Sequence, residues 1–168
     1  SKVYTFAQED AYTVSINSRQ PKVAFWMPDM ILKNEEDAIK WIDWINEKSE
    51  ASELFRIYAI ERREDNVCIG LIGYIPQPKI NNEIEILYAI ADPYQGSGYA
   101  TEAAKALIWY AFEKQGLDVI SAIIKPENTA SRKVIEKLGF VYGDSRKLKY
   151  NGSMTDFDYY RLYHIECI

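Results

Sequence analysis

Histidine is almost missing from this chain of 168 residues, which carries only His164, close to the C-terminus. One imidazole excludes a multi-histidine metal cage, and its place on a terminal segment demotes it as a triad base. Cysteine is nearly as scarce: Cys68 and Cys167 lie far apart and form no CxxC-type pair, so neither a disulfide scaffold nor cysteine-held zinc is indicated. No metal is expected. No apolar run approaches the ~20 residues needed to cross a bilayer, and SKVYTFAQED has no apolar signal-peptide region, so a soluble cytoplasmic protein is expected. Positive charge is also short. Twenty Lys and Arg face 25 Asp and Glu, a net −5 that argues against non-specific binding to nucleic acid or to an anionic membrane. Repeats and Gly/Ser/Pro-rich linkers are absent, and a 48% hydrophobic composition is enough for one core, so residues 1–168 read as a single domain.

The punctuation that is present marks elements. Asn34 followed by Glu35, Glu36 and Asp37 is a helix N-cap with an acidic first turn, and Ala38, Trp41, Ile42 and Ile45 recur at helical spacing to about Lys48. A helix is also expected from about Gln8 to Ser18. Beyond Glu53 the pattern changes to strand-like runs at 54–61, 66–75 and 83–90, which predict an antiparallel meander. A helix then opens at Gln95–Ala100 and ends at Gly116, with Ala100, Ala104, Leu107 and Ala111 on one stripe. A buried strand is expected at 118–125, followed by a short helix with Ala130, Val134 and Leu138 inward and Gly139 as its stop. Asn151–Gly152 is the two-residue turn of a closing hairpin. The order, roughly βαα-βββ-α-β-α-ββ, predicts an α+β or mixed α/β fold around one sheet.

The most informative segment is LYAIADPYQGSGYATEAAKAL, a strand entering a glycine-bearing turn that opens a helix directly. Gly96 and Gly98 allow backbone N–H groups to turn toward a ligand, and the helix N-terminus adds unpaired donors and a partial positive charge, a combination suited to pyrophosphate. A phosphate loop of the GxxxxGK[ST] type fails for want of the lysine. A dinucleotide fingerprint would need Gly or Ala where Thr101 stands, and an N-terminal βαβ unit where a meander stands. Gln95-Gly-Ser-Gly98-Tyr-Ala100 matches Q/R-x-x-G-x-G/A instead, with an ordinary strand-to-helix turn as the bland alternative.

From Glu85 to Phe140 the chain resembles the GNAT N-acetyltransferase superfamily, particularly its Rim-type branch. The resemblance rests on EIEILYAI, DPYQGSGYATEAAKAL and NTASRKVIEKLGF with their separation. AQEDA, NEEDAIKWI and TDFDYYRLY extend it over nearly the whole chain. It implies a single twisted mixed sheet of about six to seven strands flanked by about four helices. It also implies acetyl-CoA as co-substrate, its pyrophosphate held by the loop Gln95, Gly96, Ser97, Gly98, Tyr99 and Ala100, and its pantetheine arm paired along the preceding strand near Ile90. Asn128, a good helix N-cap in its own right, is implied to hydrogen-bond the pantetheine. Arg132, ahead of Lys133, is the expected contact to the 3′-phosphate.

Acetyl transfer requires a neutral amine: an α-amine near ~8 is roughly a tenth neutral at pH 7, a lysine near ~10.4 roughly one part in 2,500. The resemblance implies a carboxylate base on the 83–90 strand, and Glu85 is preferred over Glu83; both are otherwise solvent-facing strand carboxylates. Many members carry a tyrosine seven residues after the asparagine as acid. Here Ile135 stands there, and Ser131 is the implied substitute. Among Phe25, Trp26, Met27, Trp41 and Trp44, the last two are expected in the core, while Trp26, in an inter-helix loop, is expected to line the acceptor pocket. Residues 1–53 hold six basic and ten acidic side chains, a hint of a cationic acceptor. The resemblance implies an acceptor that is a protein N-terminus or a small-molecule amine, and a homodimer is left open. A CoA-binding module without catalysis, or a nucleotide-binding module, stands as the alternative.

Overall fold

The computed structural model describes residues 1–165, so Cys167 lies outside the described residues. Seven strands form one sheet in the order β1-β2-β3-β4-β5-β7-β6: β1 (Lys2–Thr5), β2 (Arg56–Arg62), β3 (Val67–Gln77), β4 (Glu83–Ile90), β5 (Val119–Ile124), β6 (Val141–Tyr150) and β7 (Ser153–Tyr163). Every neighbouring pair is antiparallel except β4 and β5, which meet in parallel through one register pair, Glu85↔Ser121. The meander of 54–90 and the closing hairpin form as expected. Asn151 and Gly152 adopt φ of +49° and +79°, the left-handed pair that a two-residue hairpin turn demands.

Two helices cover one face, α1 (Ala11–Ser18) and α3 (Glu35–Ala51). The Asn34 side chain caps α3 by accepting from the Asp37 N–H at 2.8 Å. Ala38, Ile42 and Ile45 of α3 are fully buried against Phe6, Ile57 and Ala59, and each isoleucine so placed contributes roughly 1.5–3 kcal/mol. Trp41 packs edge-on against Phe6, with ring centroids 5.4 Å apart, but Trp44 does not join the core. It lies round the helix from the Ala38–Ile42–Ile45 stripe and is 47% exposed. A short helix missing from the sequence reading, α2 (Pro21–Trp26), begins with proline at its first position, where that ring is pre-organised for a helix. Trp26 is therefore the last residue of a helix and not part of a loop.

On the other face lie α4 (Tyr99–Glu113) and α5 (Thr129–Lys137). Ala103, Ala104, Leu107 and Ala111 of α4 are buried against Ile69, Ile72, Ile86 and Ile90. The expected inward stripe of α5 needs correction. Ile135 is its buried residue, Ala130 is exposed, and Val134 and Leu138 are half-buried, because Ala130 and Val134 border an open cleft instead of the core. None of the helices among the described residues is long and apolar enough to cross a membrane.

Candidate active site

The cleft follows from how β4 and β5 part. Ser121 Oγ and Arg161 Nε donate to Glu83 Oε1 at 2.8 and 3.0 Å, and the Tyr159 hydroxyl donates to the same oxygen, which binds the start of β4 to β5 and β7. Burial raises the Glu83 pKa, but these donors outweigh it and hold the carboxyl below the ordinary range. Past Glu85 the strands separate, and a cleft of about 590 Å³ opens between them, bordered by α5 and the start of α4 on one side and the segment after α2 on the other. Ala91 N–H donates to Ile69 C=O at 2.8 Å. With Leu71↔Ala89 and Gly73↔Leu87 in the same register, the alternation turns the backbone groups of Tyr88 and Ile90 toward the side that β5 has left. The Ile90 carbonyl there is already taken by Gln95 Nε2 at 2.8 Å, so Gln95 ties the loop to the strand end.

The loop then turns through two left-handed glycines, Gly96 at φ +77° and Gly98 at φ +83°, with open space where a Cβ would stand on either. Conformation demands glycine here, and packing does not. Gly98 is the N-cap of α4 and offers no side-chain cap, so the N–H groups of the first turn point outward without a side-chain partner. Gln95, Gly96, Gly98, Tyr99 and Ala100 line the cleft; Ser97 is exposed and stands off it. The structure thus brings together a glycine loop opening a helix N-terminus and a strand edge that β5 has left.

Around this edge the side chains divide by face. On the α5 side, Asn128 lines the cleft and spends its side-chain oxygen on the Ser131 N–H at 3.2 Å, as an N-cap does. Ser131 Oγ lies 2.8 Å from the Tyr88 hydroxyl, and Tyr88 also donates to the Ser131 carbonyl at 3.2 Å. Tyr88 was missing from the sequence reading. Burial pushes its pKa up to about 12, so it carries its proton throughout the neutral range. Ile135, at the position where the resemblance implies a tyrosine, is core. Arg132 is directed away: its guanidinium donates to Pro126 C=O at 3.3 Å and to Thr129 Oγ1 at 3.4 Å, while Lys133 and Lys137 line the cleft. Neighbours on a helix differ by about 100°, and that rotation reverses the expected preference for Arg132 over Lys133.

On the opposite face of β4, Glu85 is buried and not solvent-facing. It accepts from Gln77 Nε2 at 3.2 Å, and the Gln77 amide is oriented by Lys79 N–H, which donates to its oxygen at 3.2 Å. Burial lifts the Glu85 pKa to about 7, with Gln77 and Lys79 opposing and Asp29 assisting. Trp26, Met27 and Asp29 line the wall facing it, while Phe25 is 67% exposed. The Tyr150 hydroxyl donates to Asp29 Oδ1 at 2.9 Å and closes this end. Asp92 joins the two halves. Its N–H donates to Gln20 Oε1 at 2.9 Å, and its carboxylate accepts from the Lys22 N–H in the first turn of α2 at 3.0 Å. Cys68 is buried, its thiol pushed up to about 11 mainly by desolvation, which leaves it inert as an acyl carrier near neutrality. Among the described residues no group of three or more His, Cys, Asp or Glu is gathered to hold a metal.

Comparison with known proteins agrees with this geometry. Residues 3–141 match the family model of the acetyltransferase (GNAT) domain. The chain is 33% identical over 112 residues to YkkB of Bacillus subtilis, an uncharacterised protein, covering 66% of this chain and 64% of that one. It is 30% identical over 166 residues to the provisionally named ribosomal N-acetyltransferase YdaF of the same organism, covering 89% and 90%. The fold superposes on a ribosomal-protein-S5-alanine acetyltransferase from Vibrio fischeri with a TM-score of 0.80 at 24% identity, over 99% of this chain and 94% of that one. A loop with left-handed glycines at a helix start, a strand edge freed by a parallel partner that departs, and a match over most of the sequence agree: the chain belongs to the GNAT acetyltransferase family, in its Rim-type branch.

Proposed function

We propose that the protein transfers the acetyl group of acetyl-CoA directly to a primary amine, of a protein N-terminus or a small molecule, within a ternary complex. A buried carboxyl group poised near neutrality, at the point where β4 leaves β5, carries this reading. The cofactor cradle suits the group. Backbone N–H donors from Gly96 to Ala100 would meet the pyrophosphate, Lys133 and Lys137 offer charge for the remaining phosphate, and the Tyr88 backbone with the Ile90 N–H, whose own carbonyl Gln95 occupies, would pair with the pantetheine amides. Acetyl-CoA supplies an activated acyl carbon and a thiol leaving group. Glu85 takes the proton that the amine must shed, either before or as the C–N bond forms. Tyr88, relayed through Ser131, holds a proton for the sulfur as the C–S bond breaks, and solvent restores both groups afterwards. The hydroxyl pair answers for the missing tyrosine at Ile135, the one feature that favoured a module without catalysis. Trp26 lines the acceptor wall.

Initial rates of thiol release across a grid of acetyl-CoA and amine concentrations test the reading. Intersecting double-reciprocal lines are expected. Parallel lines would indicate a covalent acyl-enzyme, and CoA binding with no amine-dependent release would leave only a binding module.

A further inference from the structure

We propose that the acceptor is a small primary amine carrying a carboxylate or a phosphate close to its nitrogen, and that Lys79 and Lys125 hold this anionic group at the ring of Tyr150. The inference rests on the acetyltransferase reading above and names its substrate class.

The ten acidic residues of 1–53 do not form an acidic acceptor wall: Asp29 alone lines the cleft, and its carboxylate is engaged by the Tyr150 hydroxyl. Five lysines line the cleft against two carboxyl groups, Asp29 and Glu85, and Glu85 is half protonated near neutrality. Lys133 and Lys137 lie on α5, beside the cofactor cradle. Lys79 and Lys125 lie at the acceptor end, where their ammonium groups stand 4.9 and 4.5 Å from the centroid of the same ring, that of Tyr150. Neither has a carboxylate within ion-pair distance among the described residues. A tyrosine face attracts each cation by only about 0.5–1 kcal/mol at an exposed site and neutralises neither. Two like charges on one ring, at the mouth of a cleft, are an arrangement that an anion relieves. Gln77 links Lys79 and Glu85, its amide nitrogen donating to Glu85 and its oxygen accepting from the Lys79 N–H, so the anion site lies beside the base and the amine and the anion belong to one small molecule. A polyamine, by contrast, would bring its further ammonium groups against these lysines.

The test is a panel of paired amines at saturating acetyl-CoA, read as thiol release and corrected for the neutral fraction of each amine. L-amino acids are set against their amides, and phosphoethanolamine against ethanolamine, with spermidine and uncharged N-terminal peptides alongside. The acidic member of one pair is expected to exceed its neutral partner in kcat/KM by at least about tenfold. The first pair answering identifies a carboxylate, the second a phosphate. Lys79→Met and Lys125→Met, which keep the apolar stem, are expected to bring that ratio toward one, while Lys40→Met on the outer face of α3 leaves it unchanged. Neutral partners, peptides or spermidine reacting as fast as the acids would overturn the inference while leaving the acetyltransferase reading intact. Equal loss for both members of each pair in the lysine variants would also overturn it, and release with none of the amines would overturn both.

Discussion

At Glu85, stability and the proposed chemistry oppose each other. Its folded pKa near 7 lies above the ordinary 4.5, so folding favours the protonated form. The contribution of this group to stability is therefore full below the unfolded pKa and is lost as pH rises through 7, a loss of roughly 3 kcal/mol. Glu85→Gln keeps the shape and removes the charge. It is expected to match the wild type in unfolding free energy near pH 4.5 and to exceed it increasingly up to pH 8, as chemical denaturation would record; a constant difference across that range would show that burial does not perturb Glu85. Tyr88→Phe is the complementary probe, since it removes a hydroxyl and leaves the ring in place. A thiol near 8.5 departs with little help, so the expected fall in kcat is about tenfold, below the usual 10²–10⁴ for a positioned acid, with KM for acetyl-CoA unchanged. No change in kcat would reduce Tyr88 to packing.

The segment leading into the glycine loop meets α2 through Asp92. Its carboxylate does for α2 what Gln20, whose side chain makes no cap within its own helix, does not: it satisfies a first-turn N–H from a distant element. Asp92→Ala is expected to cost about 1 kcal/mol of stability, the usual value of a cap, and to raise KM for the amine more than KM for acetyl-CoA, because α2 carries Trp26 while Gln95 still ties the loop to Ile90. Steady-state kinetics with each substrate varied separately would check this; equal increases in both constants would contradict it. The shape of the loop was legible in the sequence, because two glycines at fixed spacing ahead of an apolar stripe mark a left-handed turn into a helix. The rotation of α5 was not. Arg132 and Lys133 are adjacent, and only the packing of Ile135 on the sheet decides which of them faces the cleft. Trp44 failed for the same reason, since a tryptophan beside a buried stripe reads like one within it.

The sheet gives the molecule its site by being incomplete. Three donors to Glu83 close β4 onto β5 at one end, and the single parallel pair leaves the other end open. β7, beyond the matched 3–141 segment, lies inside this sheet between β5 and β6, and supplies Tyr159 and Arg161 to that closure. The meander and the closing hairpin were readable in the residues, but the placing of β7 between β5 and β6 was not, because alternation fixes the face of a side chain and says nothing of what covers it. Hence Glu85 could be chosen from the sequence but its burial could not be foreseen, and Tyr88 stayed hidden because its partner Ser131 is 43 residues away. The net charge says little of the cleft for a related reason: of the ten acids of 1–53 only Asp29 lines it, and its charged lining is five lysines against Asp29 and Glu85. On the proposed function, a neutral amine is delivered beside the buried Glu85, opposite an activated acyl group. The pH dependence of kcat/KM for the amine, in the wild type and in Glu85→Gln, measures this directly. The wild-type profile is expected to rise with an inflection near 7, and the variant to be lower by about 10²–10⁴, with that inflection gone while the amine's own remains. A variant with the wild-type profile and rate would contradict it.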